Sequence, residues 1–192
     1  MIPEHLQKRF AALRQALKDS DEQVRQLASK SLEQVEALSD LDLLVENFKK
    51  GDKVSQIRAL YAFGKIRHDR SLTALVFALR MEDEEVRTAA IRAIGEQLHP
   101  RAIGPLLEVL PNETPTCQIA ILEILPNFKD PEMMNVLRGM LRSKNADVVE
   151  ATIRASGRIG DRAVEDALII LLSKGPTRLR RAAAEVLGVL SV

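Results

Sequence analysis

His68 and His99 are the side chains best suited to chemistry in this chain: two imidazoles 31 residues apart, in a sequence with three histidines. Imidazole pairs can hold a transition metal. Their surroundings differ, however, with Asp69 after one and Pro100 after the other. If each sits in the loop of a successive helical unit, packing distances put them about 10 Å apart. That is too far for both to reach one ion, so both read as turn residues. Cys117, the one cysteine, stands at a core position and reads as a small buried residue, not a reactive thiolate. No nucleophile–base motif and no glycine-rich phosphate loop occurs. What remains is recognition: Tyr61, the one tyrosine, and Arg92 are of the residue types enriched at binding hot spots.

The elements that would position these residues follow from composition and period. Of 192 residues, 46% are hydrophobic and 29% charged, with Lys+Arg 28 against Asp+Glu 27 and a formal charge of +1. That balance supplies no global field for nucleic acid or membrane. Aromatic content of 3% with no Trp gives little for base stacking or a lipid interface. A lone cysteine suits a reducing compartment, the N-terminus is charged and amphipathic, and the longest apolar run, ALIILL, is too short to span a bilayer. A cytoplasmic protein is expected.

One period runs through the chain. Gly64, Gly95, Gly157 and Gly188 are separated by 31, 62 and 31 residues, with Pro126 at the skipped position and Glu33 one step before Gly64. Nine residues before this column stand Val24, Ser55, Val86, Cys117, Val148 and Leu179; a second set is Leu13, Leu44, Leu75, Leu106, Leu137 and Leu168. Six units of 31 take up nearly the whole chain, with bounds near 1–34, 35–66, 67–97, 98–128, 129–159 and 160–192 in one repeat domain. Apolar residues recur at three and four, so each unit holds two helices. Asp21, Asp52, Asp83, Thr114 and Asn145 stand where they can cap the second helix, with Pro176 in the sixth position. The predicted unit is helix A, a tight turn, a capped helix B and a short connector. Neighbouring units must stack to bury their apolar stripes. The glycine column reads as small size for close packing, and Pro126 predicts an early end to helix B of the fourth unit.

The segment DEEVRTAAIRAIGEQLHPRAIGPLLEVL, echoed by DRAVEDALIILL and TRLRRAAAEVLG, resembles the short HEAT repeat of the phycobilisome-lyase-like (PBS lyase HEAT-like) type. The resemblance covers the chain and weakens in the fourth unit, which has Pro126 for Gly and Gln118 for Arg. It implies an all-α fold: an α-solenoid, wound as a right-handed superhelix, of six two-helix repeats. It also implies a ladder between capping Asp and Arg residues of neighbouring units. Here the Arg column reads Arg25, Gln56, Arg87, Gln118, Val149 and Arg180, so half the rungs are missing. The His–Glu pairs of iron-binding HEAT hydroxylases are absent.

On helix B, positions two, six and ten after the Val column point away from the core. In HEAT arrays that face lines the concave side. Ile57, Tyr61, Lys65, Thr88, Arg92, Glu96 and Ile119 are the candidate partner-binding residues on it. Six Lys or Arg against four Glu along the stripe suit a protein or peptide better than a phosphate track. The reading is a non-enzymatic protein-interaction scaffold with no cofactor or metal. The resemblance offers two alternatives: attachment or removal of a bilin chromophore, and, less well matched to the charge and aromatic content, DNA binding. Ile170 and Val189 put apolar side chains on the last unit, where terminal repeats are normally polar, which points to self-association there.

Overall fold

The computed structural model describes residues 4–130 and 132–190, with side chains for these except 4–6, 33, 34 and 36–39. Glu33 of the glycine column therefore lies outside the described side chains. The described residues are helical and irregular, without a strand. The chain forms two compact units, Met1–Ala59 and Leu60–Val192.

The first unit contains α1 (Glu4–Ala16), α2 (Glu22–Lys50) and the start of α3 (Lys53–Lys65). Asp21 Oδ1 accepts the Val24 N–H at 3.1 Å and Asp52 Oδ1 the Ser55 N–H at 2.9 Å, so each carboxylate caps the helix that follows it. Ala28, Leu41 and Phe48 are buried. In place of the expected connector between the first helix B and the second helix A, α2 runs unbroken through 29 residues. The cause is legible in the residues. The later connectors start the next helix at His68, His99, Asp130 or Asp161, each 31 after the last; the same column reads Ala37 here. Alanine caps poorly and favours continued helix, and neither Gly nor Pro interrupts the stretch.

The second unit continues with α4 (Asp69–Ala78), α5 (Glu84–Gln97), α6 (Ile103–Val109), α7 (Pro115–Ile124), α8 (Met133–Met140), α9 (Ala146–Ile159), α10 (Glu165–Lys174) and α11 (Thr177–Leu187). Helices pair within their repeats, α4 on α5, α8 on α9 and α10 on α11, and successive second helices pack α5 on α7 on α9 on α11. Asp83, Thr114 and Asn145 cap α5, α7 and α9 through their side-chain oxygens, whereas α11 begins after Pro176 without a side-chain cap. Val86, Cys117, Val148, Leu75, Leu106, Leu137 and Leu168 are all fully buried, as their columns predict.

The glycine column does what its size allows. A Cβ on Gly64 would stand 3.0 Å from the Ala93 Cα, and one on Gly157 would stand 2.7 Å from Val186 Cγ2. Helix α7 stops at Ile124, and Leu125–Asn127 tighten into a 3-10 turn around Pro126, because proline lacks the N–H that would bond Leu122.

The Arg column departs from the expected ladder. Arg25 donates to the Asp19 and Ser20 carbonyls at 2.8 and 2.9 Å. Arg87 donates to those of Met81 and Glu82 at 2.8 and 2.7 Å. Gln118 donates to Leu110 and Pro111 at 3.1 and 3.4 Å. Each closes the turn between helices A and B of its own repeat, where helix-end carbonyls lack backbone partners. Among the described residues Arg87 alone of the three also reaches the next repeat, pairing with Glu113 at 3.0 Å. Burial works against the Arg87 charge, but Glu113 outweighs it and raises the pKa.

Candidate functional site

The outward stripe of the second helices begins on α3 and α5. Their backbones approach closely at Gly64 and Ala93, which brings the turns carrying Tyr61 and Lys65 beside those carrying Arg92 and Glu96. Tyr61 is 41% exposed, and Lys65, Arg92 and Glu96 are also exposed. Among the described residues none of these four has a hydrogen-bond or ion-pair partner. Ile57, on the part of α3 in the first unit, is half-buried.

Thr88 differs. It is half-buried, its hydroxyl donates to the Glu84 carbonyl at 2.8 Å, and its Oγ1 lies 3.4 Å from Cys117 Sγ. Its polar atom serves the α5–α7 contact, and Cys117 is fully buried beneath it.

Further along, the stripe opens into a groove of about 390 Å³. Ile119, Leu122, Ala151 and Ala155 give it apolar walls, and Glu123, Asp147, Glu150, Arg154, Arg158 and Arg178 surround them. Here Asp147, Glu150, Arg154 and Arg178 are bound into one ion-pair network. Arg178 pairs with both Asp147 and Glu150, and Arg154 joins Glu150 at 3.0 Å to Glu185 at 3.7 Å. The Arg178 pKa is raised, first through its hydrogen bond to Asp147 and then by the charge of Glu150. Arg158 donates to the Glu123 carbonyl and to Asn127 Oδ1, both at 2.9 Å. It thereby satisfies the end of α7 that Pro126 cuts short. A larger hollow of about 630 Å³ in the first unit, lined by Leu43, Asn47, Lys50 and Arg58 among others, contains none of the stripe residues.

The histidines serve as caps. His68 Nδ1 accepts the Arg70 N–H at 3.1 Å and His99 Nδ1 the Arg101 N–H at 3.2 Å. Asp130 and Asp161 do the same for Glu132 and Ala163 at 2.9 and 3.0 Å. Reading positions 68, 99, 130 and 161 as one column, not as two separate histidines, would have assigned this role from sequence. Among the described residues no three His, Cys, Asp or Glu side chains gather where a metal could sit, and no helix is long and apolar enough to cross a membrane.

The repeat geometry agrees with a family match: residues 41–116 and 103–188 fit the model for HEAT repeats. The chain belongs to the HEAT-repeat family. This HEAT-repeat protein is similar in structure to the complex of CpcE and CpcF of phycocyanin lyase from Nostoc sp. PCC7120. The identity is 21%, covering 96% of this chain and 76% of that one, with a TM-score of 0.53. It is also similar to a designed armadillo repeat protein solved with the peptide (KR)4, at 18% identity over 98% and 100% of the two chains and a TM-score of 0.57. A second designed armadillo protein matches at 19% identity, 94% and 99% coverage and a TM-score of 0.55. At these identities the likeness carries the all-α solenoid fold and nothing finer. No curated protein sequence matches the chain.

Proposed function

We propose that this HEAT-repeat protein is a non-enzymatic scaffold that holds a partner protein or peptide on the outward face of its second helices. One observation carries the reading: that face divides into charges committed to the fold and charges free of it. Arg154, Arg158, Glu150 and Glu185 are tied into the α7–α9–α11 stack. Tyr61, Lys65, Arg92 and Glu96 are exposed with no such duty among the described residues. An exposed Tyr beside a free Arg supplies the anchors that dominate protein interfaces, and the Ile119 groove adds apolar surface on the same stripe. The peptide held by the designed armadillo relative is in keeping with this use of a helical stack. The test is affinity capture from a native lysate on the wild-type chain and on Tyr61→Ala/Arg92→Ala. Partners held by the first and lost by the second support the reading; equal retention on both counts against it.

The likeness to a phycocyanin lyase complex favours one second reading, chromophore attachment or removal. Co-expression with a bilin and an acceptor subunit tests it. A visible absorbance band on the acceptor that depends on this chain would establish lyase-like activity over simple scaffolding.

A further inference from the structure

Successive second helices of the Leu60–Val192 unit meet in one register, each residue against the one 29 further on. A Cβ on Gly64 would touch Ala93, one on Gly95 Ile124, and one on Gly157 Val186, while Thr88 meets Cys117. The same offset sets Ile91 over Ala120, Leu122 over Ala151 and Ile153 over Ala182, a large side chain over an alanine each time. Ile91, Leu122 and Ile153 are all buried at 1% exposure or less.

The first and last repeats break this size rule in opposite directions. Where Leu60, Ile91, Leu122 and Ile153 stand, the last repeat has an exposed alanine, Ala184. Where Ala89, Ala120, Ala151 and Ala182 stand, the first repeat has Leu27, 65% exposed. Ser29 and Arg58 fill the remaining places in the two columns. Val24 is exposed in a column that is otherwise buried at Val86, Cys117 and Val148, and Leu172 in one buried at Leu79 and Leu110. Between Phe77 and Ile169 no large hydrophobic among the described residues is exposed. Ile170 shares its column with exposed Glu46 and Glu108, so it faces outward and lies off this joint.

We propose that the chain associates head to tail with a second copy, the α11 surface around Ala184 receiving Leu27 at the start of α2 in the next molecule. The exchange conserves volume: a large residue and an alanine meet as they do inside the stack, with the roles reversed. The contact joins different surfaces, so each copy carries one end of each kind and can engage another copy at both. It is independent of the partner-binding face.

Sedimentation equilibrium tests it with wild type, Leu27→Glu and Ala184→Glu. Both sites are exposed, and unchanged helical circular dichroism verifies that each variant folds. The mass of wild type should rise with concentration past the dimer. Each variant alone should remain a monomer, and an equimolar mixture should form a one-to-one dimer and stop, since each copy keeps one working end. A wild type that stays monomeric overturns the proposal. So does Leu27→Glu associating like wild type, as a symmetric tail-to-tail joint would require, or a mixture that stays monomeric.

Discussion

A Cβ built on Gly95 would stand 2.5 Å from Cγ2 of Ile124, so α5 and α7 meet at a distance that only glycine permits. Ile124 is branched at Cβ and cannot swing its Cγ2 aside cheaply. Gly95→Ala is expected to destabilise the protein by about 1–3 kcal/mol through overpacking. Gly139 lies inside α8 with nothing within 4 Å of such a Cβ, so Gly139→Ala is expected to stabilise by about 0.5–1 kcal/mol through helix propensity. Urea unfolding of the two variants measures the contrast in sign.

Arg158 and Arg92 lie on the same face and differ in duty. Arg158→Ala removes two hydrogen bonds at the end of α7 and is expected to cost about 1 kcal/mol. Arg92→Ala is expected to stay within about 0.5 kcal/mol of wild type, as at ordinary surface positions. Equal losses in denaturant midpoints would mean that Arg92 is also committed to the fold.

The connectors hold residues in the left-handed region at Leu98 (φ 49°), Lys129 (φ 54°) and Gly160 (φ 77°), each 31 apart. Side chains other than glycine pay about 1–2 kcal/mol there. Lys129 is exposed, so Lys129→Gly is expected to raise the melting temperature and Gly160→Ala to lower it.

Much of this architecture is legible in the sequence. The period, the two-helix unit, the capping column from Asp21 to Asn145 and the close packing at the glycines were legible, because each rests on local chemistry repeated in register. The unbroken α2 was not, since the signal is an absence, Ala37 in a column of caps. The Arg column was misread because the turn carbonyls it binds carry no side-chain signature. Which outward charges are free was also hidden, because Arg92 and Arg158 are both arginines on the outward stripe. What separates them is position: Arg158 stands ten residues after Val148, within reach of the Glu123 carbonyl and Asn127 Oδ1 at the end of α7, whereas Arg92 stands six after Val86.

Asp52 supplies a pH test. Hydrogen bonds from Ser55, side chain first and backbone second, hold its carboxyl below the ordinary 3.8. A depressed folded value means that the cap's contribution is present above pH 3.8 and is lost as pH falls through the lower folded value. Carboxyl-carbon NMR should show Asp52 titrating below 3.8, and Ser55→Ala should move that midpoint upward. An unmoved midpoint would remove Ser55 as the cause.

The claim that the free charges on the outward face bind a partner is tested most directly by titration with a peptide selected on the wild-type chain. Fluorescence anisotropy should show at least about tenfold weaker binding to Tyr61→Ala/Arg92→Ala, as expected for loss of hot-spot anchors. Arg180→Ala, off the stripe, should bind as wild type does. Equal affinity for the wild type and the double variant would contradict the assignment of this face.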